Sequence, residues 1–152
     1  MDMPENFNPL ALDNQLCFAL YVCSKEVIRK YQPLLEPLDL TYTMYITLLS
    51  LWEKDEVTVK DLGKRLFLDS GTLTPLLKKM ESKNLITRTR SKTDERTVFI
   101  KLTEEGWGMK EKCKEVPVKM ACSNVINPEK GGELLQALHI MMNNISNQSA
   151  ND

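Results

Sequence analysis

The sequence of 152 residues contains one histidine, His139, and its four cysteines form no Cys-x-x-Cys pair and no Cys/His cluster. Structural zinc needs such grouped ligands, so neither a metal nor any other cofactor is expected. No apolar run approaches the roughly 20 residues that cross a bilayer. The start, Met1-Asp2-Met3-Pro4-Glu5, is acidic and lacks a secretory pattern, so a cytoplasmic protein with no membrane partner is expected. Repeats and low-complexity segments are also missing.

Without an export signal, four cysteines do not suggest a disulfide framework. Cys17 and Cys23 are six apart, about 600° and 9 Å along a helix. They therefore face different sides, beyond the roughly 7 Å Cα limit for a bridge. Cys113 and Cys122, nine apart, fail likewise on a continuous helix. What remains for Cys17 is a nucleophile, a redox sensor or an inert core thiol.

What is present is an ordinary globular composition, 42% hydrophobic and 27% charged, with a formal net charge of −1. One domain or one subunit of an oligomer fits this length. The charge is unevenly placed. Lys60 to Lys101 holds eleven Lys/Arg against five Asp/Glu, a balance of +6, which leaves −7 for the rest. A basic middle between acidic flanks is a nucleic-acid footprint, although such a run also suits a solvated face.

Periodicity and caps divide the chain into elements. A first helix is expected from Asp13 or Asn14 as N-cap, with Leu16, Leu20, Cys23, Val27 and Tyr31 repeating at three and four, ended by Pro33 and Pro37. A cap at Asp13 makes Cys17 the fourth helical residue, at the edge of the helix dipole's reach. A second helix spans about Thr43 to Trp52. Thr58-Val59-Lys60-Asp61 is a capping-box variant that opens a helix breaking near Leu68. Asp69-Ser70 opens the next, with the stripe Leu73, Leu76, Leu77, Met80, an early Pro75 and an end at Asn84. Two strands, Leu85 to Arg90 and Thr97 to Leu102, flank a charged loop. A helix capped by Thr103 should run towards Asn124 with a bend at Pro117. Asn127-Pro128 opens the last, and the tail 147–152 frays.

The fold these elements make is mainly α with a small antiparallel β-hairpin. It is a winged helix-turn-helix with N- and C-terminal dimerisation helices. One subunit covers 1–152, with dimerising helices in 10–36 and 103–146 and the DNA-binding region in 43–102. Ser70, Thr72, Thr74 and Pro75 lie where a recognition helix meets base edges, and Lys78 and Lys79 suit phosphates. Arg88, Arg90, Lys92, Asp94 and Arg96 belong to the wing, where a long cation enters the minor groove. So small a module needs a second copy, hence a homodimer on double-stranded operator DNA. Its apolar first helix and Met-rich last helix are the candidates to hold it together.

Asp94-Glu95-Arg96 followed by Ile100-Lys101-Leu102-Thr103-Glu104-Glu105-Gly106 resembles the MarR family. Leu16-Cys17, Tyr31-Gln32-Pro33-Leu34-Leu35, Thr41-Tyr42 and the run Leu68 to Pro75 are similar to its organic hydroperoxide resistance regulators, over roughly Leu10 to Ile145. The resemblance implies a homodimeric repressor, not an enzyme, that binds its operator when reduced and is released when an organic hydroperoxide oxidises Cys17. It also implies Tyr31 and Tyr42 of the partner near that thiol. A second, resolving cysteine would be Cys122, with Val118, Met120, Ala121, Val125 and Ile126 around a semi-buried thiol. Cys113, among lysines, is the rival, and Cys23 a small core residue. Read as residues alone, Tyr31 and Tyr42 are half-buried core aromatics. A MarR-type repressor released by a small aromatic or lipophilic ligand, a thiol peroxidase and a protein-binding winged helix remain as other readings.

Overall fold

The computed structural model describes residues 8–94, 96–123, 125 and 127–149. Glu95, the helix end at Asn124, Ile126 and the tail residues 150–152 lie outside the described residues. The first helix, α1, spans Leu16–Leu35 behind a 3-10 turn at Leu12–Asn14. Its N-cap is Gln15, not Asp13 or Asn14. Those two belong to the turn, where the Asn14 amide donates to the Asn8 carbonyl at 2.9 Å. Pro33 forfeits one helical bond near the C-terminus without ending α1, and Pro37 falls in the 3-10 turn Glu36–Leu38. Asp39 then takes a left-handed backbone (φ 55°), and Leu40 N–H returns to the Leu35 carbonyl.

Helix α2 spans Tyr42–Glu53, with the Thr41 hydroxyl accepting from Met44 N–H. It leads into a strand that periodicity did not reveal, β1 at Val57–Thr58. Two residues are too few to alternate visibly. Thr58 is also the N-cap of α3 (Val59–Leu66): its hydroxyl accepts from Asp61 N–H at 3.1 Å and donates to the Asp61 carboxylate at 2.7 Å. The helix stops at Phe67, whose left-handed φ of 55° turns the chain.

Helix α4, Ser70–Ser82, expected as the recognition helix, is capped by the Asp69 carboxylate. Pro75 is its sixth residue, past the first turn where it was expected, and leaves the Gly71 carbonyl without its helical donor. Leu73, Leu77 and Met80 are at most 1% exposed. Asn84 (φ 58°) separates α4 from β2, Ile86–Arg90, which pairs antiparallel with β3, Val98–Leu102. The sheet has three strands in the order β1-β3-β2, a hairpin enlarged by one short edge strand. Val57 and Arg88 both lie opposite Ile100.

Helix α5 (Glu104–Cys113) is separated from α6 (Glu115–Cys122) by Lys114, three residues before the bend expected at Pro117. The reason is the proline itself. Pro117 cannot donate to the carbonyl four residues back, Cys113, and its ring crowds that group, so the break falls there. Helix α7 runs Pro128–Ser149, with Asn127 accepting from Glu129 N–H at 2.9 Å. The helix therefore continues through residues 147–149 of the expected tail. The chain divides into two compact units between Val116 and Pro117. No helix among the described residues is long and apolar enough to cross a membrane.

The core of the first unit joins Met44, Leu48 and Leu51 of α2, Leu62 of α3, the α4 stripe, and Ile86 and Ile100 of the sheet. Burying each such side chain stabilises by about 1.5–3 kcal/mol. Around its edge α5 is docked closely: Trp52 Nε1 donates to the Gly106 carbonyl at 3.0 Å, and Thr103 N–H to the Leu85 carbonyl at 3.1 Å. A Cβ on Gly106 would overlap the Leu85 carbonyl oxygen outright and press on Leu102 at 2.9 Å. Gly106→Ala should therefore cost about 1–3 kcal/mol of stability, read as a lowered urea midpoint; an unchanged midpoint contradicts the close approach.

Candidate DNA interface and thiol sensor

At about 100° per residue, the positions on α4 sort into an outer line and two flanks. Gly71, Pro75, Lys78 and Ser82 lie opposite the buried stripe. Ser70, Thr74 and Glu81 share the flank towards the wing, whereas Thr72, Lys79 and Lys83 share the other. The structure thus separates residues that the sequence grouped. Ser70, Thr74, Pro75 and Lys78 are exposed on or beside the outer line. Thr72 donates its hydroxyl to the Asp69 carboxylate at 2.9 Å, and Lys79 lines a cavity with Arg29 and Gln32 of α1. The Thr72 amide and hydroxyl together hold the Asp69 carboxyl below the usual carboxylate range.

Between α4 and the wing lies a cleft of about 610 Å³, reached by Thr58, Lys60, Thr74, Arg88 and Arg96. Asp94 organises the tip of the wing. It accepts from Arg96 N–H at 3.1 Å and from the Thr97 hydroxyl at 3.1 Å, and these bonds lower its pKa. Arg96, whose Nε also lies 3.5 Å from the Asp94 carboxylate, stays 94% exposed. Arg90 and Lys92 are exposed as well. Arg88 differs from them: both its Nε and Nη2 reach Glu81. Glu81 was not foreseen at all, since only the fold brings the end of α4 beside β2.

The thiols also depart from expectation. Cys17 is exposed and is the second residue of α1, closer to the unpaired N–H groups of the helix start than a fourth position would be. Cys23 is exposed rather than part of this chain's core, and Cys122, expected semi-buried, is exposed too. Cys113 is 3% exposed. Burial pushes its thiol pKa up and outweighs the opposing effect of Lys112, so the lysines around it do not activate it.

Tyr31 lies fourteen residues beyond Cys17, about 21 Å along α1 and within about 40° of the same face. One chain therefore cannot bring the two together. Tyr31 instead packs on Tyr42 with ring centroids 4.9 Å apart. Tyr45, a member that sequence reasoning missed, is 5.9 Å from Tyr31 and 3% exposed. Its spacing of three from Tyr42 on α2 was the available signal. Burial raises the pKa of all three phenols, Tyr45 to about 12, with its phenol and thiol neighbours adding to the effect.

Residues 29–116 match the family model described as transcriptional regulator SarA/Rot. The organic hydroperoxide resistance transcriptional regulator of Bacillus subtilis is 46% identical over 140 residues, covering 92% of this chain and 95% of that one. Among solved structures, reduced AbfR bound to DNA has a TM-score of 0.73 at 31% identity, over 88% of this chain and 94% of that one. Disulfide-formed AbfR has a TM-score of 0.60 at 34% identity, over 86% and 92%. Both are forms of a protein from Staphylococcus epidermidis.

The tyrosine cluster carries a pH signature. A phenol whose folded pKa lies above its ordinary value favours the fold fully below pH 10, and that contribution is lost as pH rises towards about 12. Tyr45→Phe should remove the highest-pH phase of the phenolate absorbance titration and leave the lower-pH phases in place. Persistence of that phase would assign it to another residue.

Proposed function

The chain belongs to the MarR family, in its branch of organic hydroperoxide resistance regulators, and from that premise we propose that it is a redox-sensing repressor working as a homodimer in the cytoplasm. Reduced, it binds operator DNA; oxidation of Cys17 by an organic hydroperoxide releases it. The carrying observation is the exposed Cys17 at the start of α1, set fourteen residues from Tyr31 on one helix face. If two α1 helices cross antiparallel about a two-fold axis at Ser24, each Cys17 meets the partner's Tyr31, with the partner's Tyr42 beside it. Reduced, DNA-bound and disulfide forms of AbfR support the same logic.

The chemistry needs only the thiol and the oxidant. The Cys17 thiolate sulfur attacks a hydroperoxide oxygen, the O–O bond breaks, and the alcohol leaves after taking a proton. The resulting sulfenic acid condenses with a second thiol and releases water. Cys122, exposed on α6, is the resolving thiol of this proposal, since burial disfavours Cys113. The bond reports one oxidation event and does not turn over, which sets this reading apart from a peroxidase. A differential affinity of about 1.4 kcal/mol between the two states already changes DNA binding tenfold.

On the DNA side, Ser70, Thr74, Pro75 and Lys78 enter the major groove, and Arg90, Lys92 and Arg96 reach backbone or minor groove from the wing. Dimerisation uses the apolar residues left open on α1 and α7, among them Leu16, Tyr21, Leu134, Leu135 and Ile140.

A second reading rests on the cavity of about 410 Å³ bounded by Arg29, Gln32, Thr41, Tyr42 and Lys79. Its size suits a small aromatic or lipophilic ligand, which would release DNA with Cys17 incidental. One experiment separates the two. Cys17→Ser should bind DNA like the wild type in a gel shift but resist release by cumene hydroperoxide. Non-reducing mass spectrometry of the wild type should then show a Cys17–Cys122 link. Release of the serine variant by the peroxide would sink the redox mechanism.

A further inference from the structure

The Glu81–Arg88 pair stands apart from the other charges of the DNA face. Arg88 Nε lies 2.8 Å and Nη2 2.6 Å from the same Glu81 oxygen. The two side chains are only 30% and 37% exposed, whereas the wing-tip Arg96 is 94% exposed. Glu81 is in the last turn of α4 and Arg88 is mid-strand on β2, opposite Ile100 at the centre of the sheet. The guanidinium also holds the Glu81 carboxyl below the usual carboxylate range. A guanidinium committed through two nitrogens to a carboxylate is poorly placed to serve a phosphate as well.

We propose that Arg88 and Glu81 form a positioning pair that fixes the angle between recognition helix and wing, and that Arg88 is not itself a DNA contact. The α4 N-terminus reads the major groove and the wing tip the flanking minor groove, so both must fit one duplex at once. Their spacing is set where α4 ends and β2 begins, and the pair joins those two elements across the turn at Asn84.

This inference rests on the DNA-binding reading above, and two opposing expectations make it testable. An acidic residue beside a DNA face repels phosphate, so on electrostatics alone Glu81→Gln should tighten binding. As a positioning residue its loss should weaken binding roughly three- to tenfold. Similarly, a phosphate-contacting arginine lowers the slope of log affinity against log salt by about one when removed. A positioning arginine leaves that slope unchanged.

The probe is a fluorescent duplex selected from a random-sequence pool by the reduced wild-type protein. Selection of no duplex at all would refute the DNA-binding reading itself. Given a duplex, Glu81→Gln and Arg88→Gln should both weaken binding with the wild-type salt slope, while the exchange Glu81→Arg with Arg88→Glu recovers most of the affinity. Circular dichroism melts accompany each variant, to set aside any loss caused by unfolding. Tighter or unchanged binding by Glu81→Gln overturns the proposal, as does a reduced slope for Arg88→Gln or a folded exchange variant no better than the single ones.

Discussion

Where β3 gives way to α5, the backbone at Gly106 comes so near the Leu85 carbonyl that no side chain fits between them. Several other contacts converge on the same few residues. Trp52 of α2 closes on Gly106, Thr103 binds both the Leu85 carbonyl and its own helix start, and Leu102 N–H donates to the Asp55 carboxylate. This junction joins the end of the recognition helix, the base of the wing, α2 and α5.

The recognition helix is held on both flanks near its C-terminus. Glu81 reaches Arg88 of the sheet on one side, and on the other Lys83 pairs with Asp39, at the corner where α1 turns into α2. Lys79 also faces that corner. The N-terminal turn, by contrast, is tied mainly to its own cap at Asp69. A helix anchored at its rear suits the proposed reader, because the small side chains at its front are left to approach the groove while the anchors set direction. Asp39, just past the 3-10 turn that follows α1, gives the corner between α1 and α2 a direct polar contact with the end of α4.

Much of this was legible in the sequence, and the failures have physical causes. The caps at Thr58, Asp69, Thr103 and Asn127 and the stripe from Leu73 to Met80 stand as expected, because each is a local pattern with a local reason. The N-cap of α1 was misplaced because Asp13 and Asn14 suit a 3-10 turn as well as a cap. The break before α6 was misplaced because a proline disrupts the bond four residues back rather than its own position. Tertiary relations were harder to see. The roles of Arg88, Glu81 and Lys79, and the burial of Cys113, depend on which elements meet. Nor does one chain bring Cys17 to Tyr31, which lies about four turns away on the same helix.

That helical spacing limits how the protein can vary. Substitutions along the exposed side of α1 leave the thiol and Tyr31 in phase. Inserting or deleting one residue between them rotates one against the other by about 100°, undoing their alignment without altering either side chain. Changes of seven, about two turns, nearly restore the phase but shift the separation by about 10 Å. In the proposed dimer the segment from Cys17 to Tyr31 is therefore a molecular ruler, strict in length.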